Sequence, residues 1–340
     1  MEDPFDFARL AHGGDLGAAR RLFPDAPQPF LDLSTGINPH SYPIGQLSSD
    51  AFTKLPQPDV VARLAEIAAA TYGAPHPGDV AVAPSSQILM ALIAGFVPGR
   101  RAAVLGPTYG EHARVARLAG HDVAEVSDIE ALEDAALAIV VNPNSPDGRI
   151  VSRDGLLNLA ASMQRQRGLL VVDEAFMEAG PEEASLCEEV ERANVVVLRS
   201  FGKFYGLPGL RLSFALGAPS IANRLNAALG PWPVSGAALA VGTKALADTD
   251  WRRRTRTRLD EAASRLDKLL EGAGLAIVGG TVLFRLVRAD DAETLFAQLG
   301  RSGILVRRFP EHKAWLRFGL PGDEDEWQRL RAGLAAFADQ

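Results

Sequence analysis

Apolar positions along the chain change period several times. Up to Asp59 there is no regular repeat, and turn formers such as Asn38-Pro39 and Tyr42-Pro43 break the pattern. This predicts an extended, wrapping segment rather than a packed unit. From Val60 the apolar residues recur at helical spacing as far as Tyr72, and Gly73 follows as a C-cap. Short apolar runs then alternate with helical stretches. Strands are predicted at Val80–Ala83, Ala102–Leu105, Ala136–Val141, Leu169–Val172, Val195–Leu198 and Leu212–Ala215. Helices are predicted at Ser86–Phe96, Glu111–Ala119 (closed by Gly120) and Ser152–Arg165.

Strands that are apolar throughout, rather than alternating, are those buried on both faces. The pattern therefore predicts an α/β fold with a large, mostly parallel sheet covered by helices on both faces. Ser235–Leu270 reads as one long helix or a bent pair. Beyond it, strands at Leu275–Val278, Val282–Val287 and Trp315–Leu320 and helices at Ala292–Leu299 and Glu324–Phe337 predict a smaller α+β unit. The expected organisation is an extended segment over 1–45, a large domain over 46–235 and a small C-terminal domain over 236–340.

Composition narrows the function classes. The 340 residues carry 35 Lys+Arg against 42 Asp+Glu, a net charge of −7, which argues against a nucleic-acid or membrane-surface protein. No window approaches the length of an apolar membrane span, and Met1–Leu10 lacks a signal-peptide pattern. A single cysteine, Cys187, rules out an intramolecular disulfide and leaves a cytoplasmic location as the expectation. The six histidines are scattered, so no metal site is expected. The basic run from Arg252 to Arg258 reads as a solvated helix face, Cys187 as packing, and His112 and His121 as residues flanking a helix without a chemical role.

Sites in parallel α/β sheets form where strands end. Four strand ends carry chemistry here. Leu169–Val172 ends in Asp173-Glu174, and a buried carboxylate needs a partner such as a protonated ring nitrogen. Val195–Leu198 runs into Arg199-Ser200-Phe201-Gly202-Lys203, followed by Arg211. A desolvated lysine suits Schiff-base chemistry, and a hydroxyl with a guanidinium suits a phosphate. Ser85-Ser86-Gln87 opens a helix whose N-terminus can hold an anion. Asn142-Pro143-Asn144-Ser145-Pro146-Asp147-Gly148 forms a rigid polar turn. Each is weak alone. In this order, with the aromatic Tyr109, they outline a site for pyridoxal 5′-phosphate (PLP), with phosphate on a helix N-terminus, ring nitrogen on Asp173 and aldehyde on Lys203.

The same stretches carry a family resemblance over essentially the whole chain. Leu198-Arg199-Ser200-Phe201-Gly202-Lys203-Phe204-Tyr205-Gly206-Leu207-Pro208-Gly209-Leu210-Arg211 is the strongest, joined by Ala11-His12-Gly13-Gly14-Asp15, Leu31-Asp32-Leu33-Ser34-Thr35-Gly36-Ile37-Asn38-Pro39 and Pro231-Trp232-Pro233-Val234-Ser235. The chain resembles fold-type-I PLP enzymes of the aminotransferase superfamily. It is similar to the histidinol-phosphate aminotransferases and, within that group, to the L-threonine-O-3-phosphate decarboxylases of cobalamin biosynthesis. The resemblance implies an aminotransferase-like fold and PLP as cofactor. It implies a homodimer and a small phosphorylated amino acid as substrate. It casts Lys203 and Asp173 as catalytic. Ser85, Ser86, Gln87, Tyr109, Asn144, Ser145, Phe176, Ser200 and Arg211 would complete the cofactor site, and His12, Gly13, Gly36, Arg307 and Arg317 would bind substrate.

Several positions depart from the family pattern. Ser145 stands where relatives place the Asn that bonds the cofactor O3′, so Asn144 and Ser145 are both candidates. Gly36 replaces an Asn linked to substrate binding. Leu55-Pro56 lacks a Tyr that relatives extend toward a partner subunit, Phe176 replaces a Tyr of many aminotransferases, and Asp147 replaces a Thr. Decarboxylation and transamination use the same Lys and Asp. The implied activity is therefore decarboxylation of L-threonine O-3-phosphate, with transamination of histidinol phosphate or a related phosphorylated amino acid as the alternative. A catalytically silent binding partner in corrinoid assembly is a third, minor reading.

Overall fold

The computed structural model describes residues 12–338. The first part of the expected 1–45 segment, the Met1–Leu10 stretch and the last two residues lie outside the described residues. Strands are β1 (Leu31–Asp32), β2 (Val80–Ala83), β3 (Arg101–Leu105), β4 (Asp122–Val126), β5 (Leu137–Val141), β6 (Leu169–Asp173), β7 (Val195–Ser200), β8 (Ser213–Gly217), β9 (Ala276–Thr281), β10 (Phe284–Arg288), β11 (Ile304–Leu305), β12 (Arg307–Arg308) and β13 (Trp315–Gly319). The described residues divide into two compact units: Ser41–Ser145 with Arg149–Arg253, and those up to His40 with Pro146–Gly148 and those from Arg254 onward.

The larger unit is built on a seven-stranded sheet in the order β2-β8-β7-β6-β5-β3-β4. Contacts from β4 through β3, β5, β6 and β7 are parallel, whereas β8 runs antiparallel to both β7 and β2. The all-apolar runs are the central strands, and Val195, Val196, Val197 and Leu198 have no exposed surface. Strand β4 escaped the sequence pattern. It is an edge strand, half exposed and carrying Asp122 and Glu125, so it lacks the apolar run of its neighbours.

Capping explains the helix limits. Helix Pro58–Tyr72 starts with Pro at its first turn and stops at Gly73, whose φ of 82° suits glycine. Ser85, Ser152 and Ser235 each accept a backbone N–H of the helix they precede. The Ser235–Leu270 stretch is a bent pair, Gly236–Ala247 and Thr249–Gly272. Asp248 makes the break by accepting the Trp251 N–H at 2.9 Å. Helix Gly236–Ala247 packs on Pro58–Tyr72, and both belong to the larger unit. Short helices at Leu16–Leu22 and Asp50–Thr53, and Pro219–Leu229, also lay outside the predicted elements.

The smaller unit contains an antiparallel sheet in the order β12-β13-β10-β9 and a parallel pair, β1 with β11. Leu286, Phe318, Leu299 and Leu330 are buried in its core. Among the described residues no helix is long and apolar enough to cross a membrane.

Candidate active site

In the larger unit the parallel strands bring four predicted clusters to one edge of the sheet. Asp173 ends β6 and is 5% exposed. Its Oδ1 accepts the Ala175 N–H at 3.1 Å, and its Oδ2 lies 2.9 Å from His112 Nε2. With the carboxylate ionised, the imidazole N–H is the donor. His112 is 1% exposed, on helix Glu111–Leu118, which follows Tyr109. The Tyr109 ring stands edge-on to His112 with centroids 6.0 Å apart.

Asp173 lies opposite Leu198 in the β6–β7 register, and β7 leads directly into the short helix Phe201–Phe204 that carries Lys203. The surrounding aromatics fix that helix. Phe201 and Tyr205 stack with centroids 4.2 Å apart, and Tyr205 and Phe204 both contact Trp251. Because Phe201, Phe204 and Tyr205 are buried, Lys203 faces the other way. Its Nζ lies 5.5 Å from the centre of the buried Phe176 ring.

The hydroxyl cluster is assembled by register. Ser213 of β8 lies opposite both Ser200 and Ala83, and its Oγ is 3.2 Å from Ser86 Oγ. Ser85 Oγ accepts from Ile88 N at 3.3 Å, capping helix Ser86–Phe96. Free N–H groups and several hydroxyls thus meet at one helix start. Gln87, expected at the cofactor, is exposed and donates to Glu111 Oε2 at 3.3 Å. Arg211 is exposed, holds an uncommon φ of 55° and donates to the Pro208 carbonyl at 3.0 Å. The Asn144 amide donates to the Pro107 carbonyl at 2.9 Å and its oxygen accepts from Thr108 at 2.6 Å, whereas Ser145 is half-buried.

Behind the site, Glu174 and Arg199 form a buried ion pair at 2.9 Å. Ser185 Oγ and the Leu186 N–H also donate to Glu174, at 2.7 and 2.9 Å. Burial holds the Glu174 carboxyl above its ordinary value, with Arg199 opposing. Burial pushes the neighbouring Cys187 thiol up to about 11.

The smaller unit gathers the predicted substrate residues. Arg317 of β13 faces Arg307 of β12 in register. Its guanidinium lies 4.9 Å from the centre of the Phe284 ring, and its Nη2 donates to the Ser34 carbonyl at 2.9 Å. Burial and the charge of Arg307 push Arg317 down to about 9, with Asp32 opposing. A cation depressed in this way gains from a bound anion. The turn that begins at the exposed His12 reaches the same place, because the Gly14 N–H donates to Ser34 Oγ at 2.7 Å. Gly36 is buried two residues beyond Ser34.

Sequence reasoning missed His112 and Ser213. His112 had one local signal, its position three residues after Tyr109 and thus one helical turn away. Ser213 is two residues past Arg211, and only the sheet register gives it meaning.

The aminotransferase class I and II profile matches residues 38–334. A threonine-phosphate decarboxylase of Pseudomonas aeruginosa is 40% identical over 97% of this chain and 98% of its own. A histidinol-phosphate aminotransferase of Psychrobacter arcticus is 32% identical over 62% of this chain and 58% of its own. Among solved structures, the histidinol-phosphate aminotransferase of Sinorhizobium meliloti, crystallised with pyridoxal 5′-phosphate, superposes with a TM-score of 0.85 at 22% identity, over 99% of this chain and 97% of its own. That last likeness shows the fold.

Proposed function

The chain belongs to the class I and II aminotransferase family, and from that premise we propose that it is a PLP-dependent decarboxylase. It converts L-threonine O-3-phosphate to CO₂ and (R)-1-amino-2-propanol O-2-phosphate, the linker precursor of the cobalamin nucleotide loop. The observation that carries this reading is the 40% identity to a threonine-phosphate decarboxylase along almost the full length of both chains.

The residues present fit the cofactor. A buried carboxylate at a strand end suits a protonated ring nitrogen, a lysine amine follows the neighbouring strand, and serine hydroxyls meet a capped helix start. When bound, PLP supplies an electron sink for the pair released from the bond broken at Cα. Asp173 would hold a proton on the ring nitrogen, and His112 Nε2 orients that carboxylate through Oδ2. Lys203 Nζ is the amine that would hold the cofactor aldehyde, and it is the group placed to return a proton to Cα. Ser85, Ser86, Ser200, Ser213 and Arg211 hold the cofactor phosphate. Tyr109 and Phe176 would line the ring site, and Ser145 or Asn144 would serve O3′. Arg307, Arg317 and His12 bind the substrate's anionic groups, and the reaction follows from which Cα bond they hold toward the sink.

The reading extends to a homodimer and a cytoplasmic location. Ile44, Phe52 and Leu55, on the segment before helix Pro58–Tyr72, are exposed, Phe52 to 70%, which supports a partner surface there.

One incubation tests the reaction. Protein loaded with PLP is given L-threonine O-3-phosphate without an oxo-acid acceptor, and CO₂ and amine are followed. Multiple turnovers of CO₂ are expected, and Lys203→Ala abolishes them. A single turnover yielding an oxo product without CO₂ replaces this reading with transamination, which the histidinol-phosphate aminotransferase relative favours.

A further inference from the structure

We infer that Ser34 is a positioning residue that holds the anion-binding groups of the smaller unit in one arrangement. This rests on the reading of Arg317, Arg307 and the His12 turn as the substrate-anion site. Ser34 is 1% exposed, and all three of its polar groups are committed. Its carbonyl accepts from Arg317 Nη2 at 2.9 Å. Its Oγ accepts the Gly14 N–H at 2.7 Å and donates to Asp32 Oδ1 at 2.5 Å. Its own N–H donates to the same Asp32 oxygen at 2.9 Å.

Gly13 lies so close that a Cβ there would collide with the Ser34 carbonyl oxygen. The same peptide group therefore orients a guanidinium on one side and backs the His12-Gly13-Gly14 turn on the other. These partners are far apart in sequence, and Arg317 is 283 positions away.

The roles divide by chemistry. The hydroxyl joins the turn to the strand end by hydrogen bonds, because it both donates and accepts. Asp32 holds Ser34 through one oxygen, and an amide oxygen could replace it. Ser34 thus acts through geometry, while the Asp32 charge opposes anion binding by attracting Arg317.

The test uses the full chain with PLP bound, so that the cofactor's phosphate fills its own site. Inorganic phosphate binding is measured by calorimetry for wild type, Ser34→Ala, Gly13→Ala and Asp32→Asn, and the visible cofactor absorbance is recorded for each. Ser34→Ala and Gly13→Ala are expected to weaken phosphate binding by about tenfold, the size of one lost buried hydrogen bond. Asp32→Asn binds at least as tightly as wild type, and the absorbance is the same in all four.

Phosphate binding by Ser34→Ala within about twofold of wild type overturns the assignment. So does Asp32→Asn weakening as much as Ser34→Ala, or a wild type that binds no phosphate. Where Ser34→Ala does not fold, Gly13→Ala disturbs the same contact from the other side and decides. Turnover of L-threonine O-3-phosphate by the same wild-type preparation reads the proposed reaction separately. Phosphate binding without CO₂ release refutes the decarboxylase and leaves the role of Ser34 standing.

Discussion

The two units treat buried charge differently. Around Asp173 in the larger unit, buried carboxylates come with built-in donors. His112 sits on Asp173 at 2.9 Å, Arg199 on Glu174 at 2.9 Å and Arg114 on Glu111 at 2.6 Å. Around Arg317 in the smaller unit, two guanidiniums face each other across paired strands, and Ser34 donates twice to the nearby Asp32. The first arrangement is complete within the chain and keeps its geometry unaided. The second sets two guanidiniums side by side, with Asp32 opposing their repulsion, and suits an anion. A cofactor that stays needs the former, and a substrate that comes and goes suits the latter.

Breaking the compensation in the larger unit has the largest expected effect. Arg199→Met leaves Glu174 buried and unpaired, which costs about 3–5 kcal/mol and is read by denaturant unfolding. The double variant with Glu174→Gln recovers most of that loss. The pH dependence follows from the sign of the Glu174 shift. Its folded value is raised by burial, so its contribution is favourable below the unfolded carboxyl value of about 4.3 and is lost as pH rises through the folded value. Without Arg199 the rise is larger, so Arg199→Met approaches wild-type stability in acid and falls behind as pH increases. A destabilisation that does not vary with pH would mean that the pair acts by packing alone.

On the other side, Arg317→Ala removes half of the cation pair. It should raise KM for L-threonine O-3-phosphate by about a hundredfold, the scale of a lost charge-assisted contact, with the cofactor absorbance unchanged. A fall in cofactor retention instead would erase the distinction between the two regions. His112→Phe sharpens it from the cofactor side. It leaves Asp173 in place without its donor and should lower kcat by about tenfold, as losses of supporting contacts do, with KM little changed. The smallest effect concerns Cys187. Its thiol is buried and pushed up to about 11, so the native protein should resist iodoacetamide at neutral pH and react only on unfolding, as mass spectrometry would show.

Much of the larger unit was legible because its strands are uniformly apolar. Asp173, Ser200 and Lys203 sit where strands end, and that position needs only the strand pattern to be recognised. The Ser86–Phe96 helix was legible to the residue because Ser85 caps it. Gln87 was named for its place at a helix start, where side chains point in every direction, and this one turns to Glu111. Arg211 was placed on its chemistry and on the family stretch it closes, and its exposed side chain donates to the Pro208 carbonyl. Strand β4 and helix Leu16–Leu22 were missed because the first is a polar edge and the second lies in an irregular stretch.

The chain's own pattern of apolar runs, caps and strand-end polar residues determined the α/β architecture and pointed to the lysine and aspartate proposed for the cofactor site. These are local properties, written within a few turns or one strand. Tertiary structure alone decided which charges meet. His112 reaches Asp173 across 61 positions and Arg317 reaches Ser34 across 283. Such pairings depend on how helices and strands pack, and neither residue's neighbours in sequence encode the distance between them.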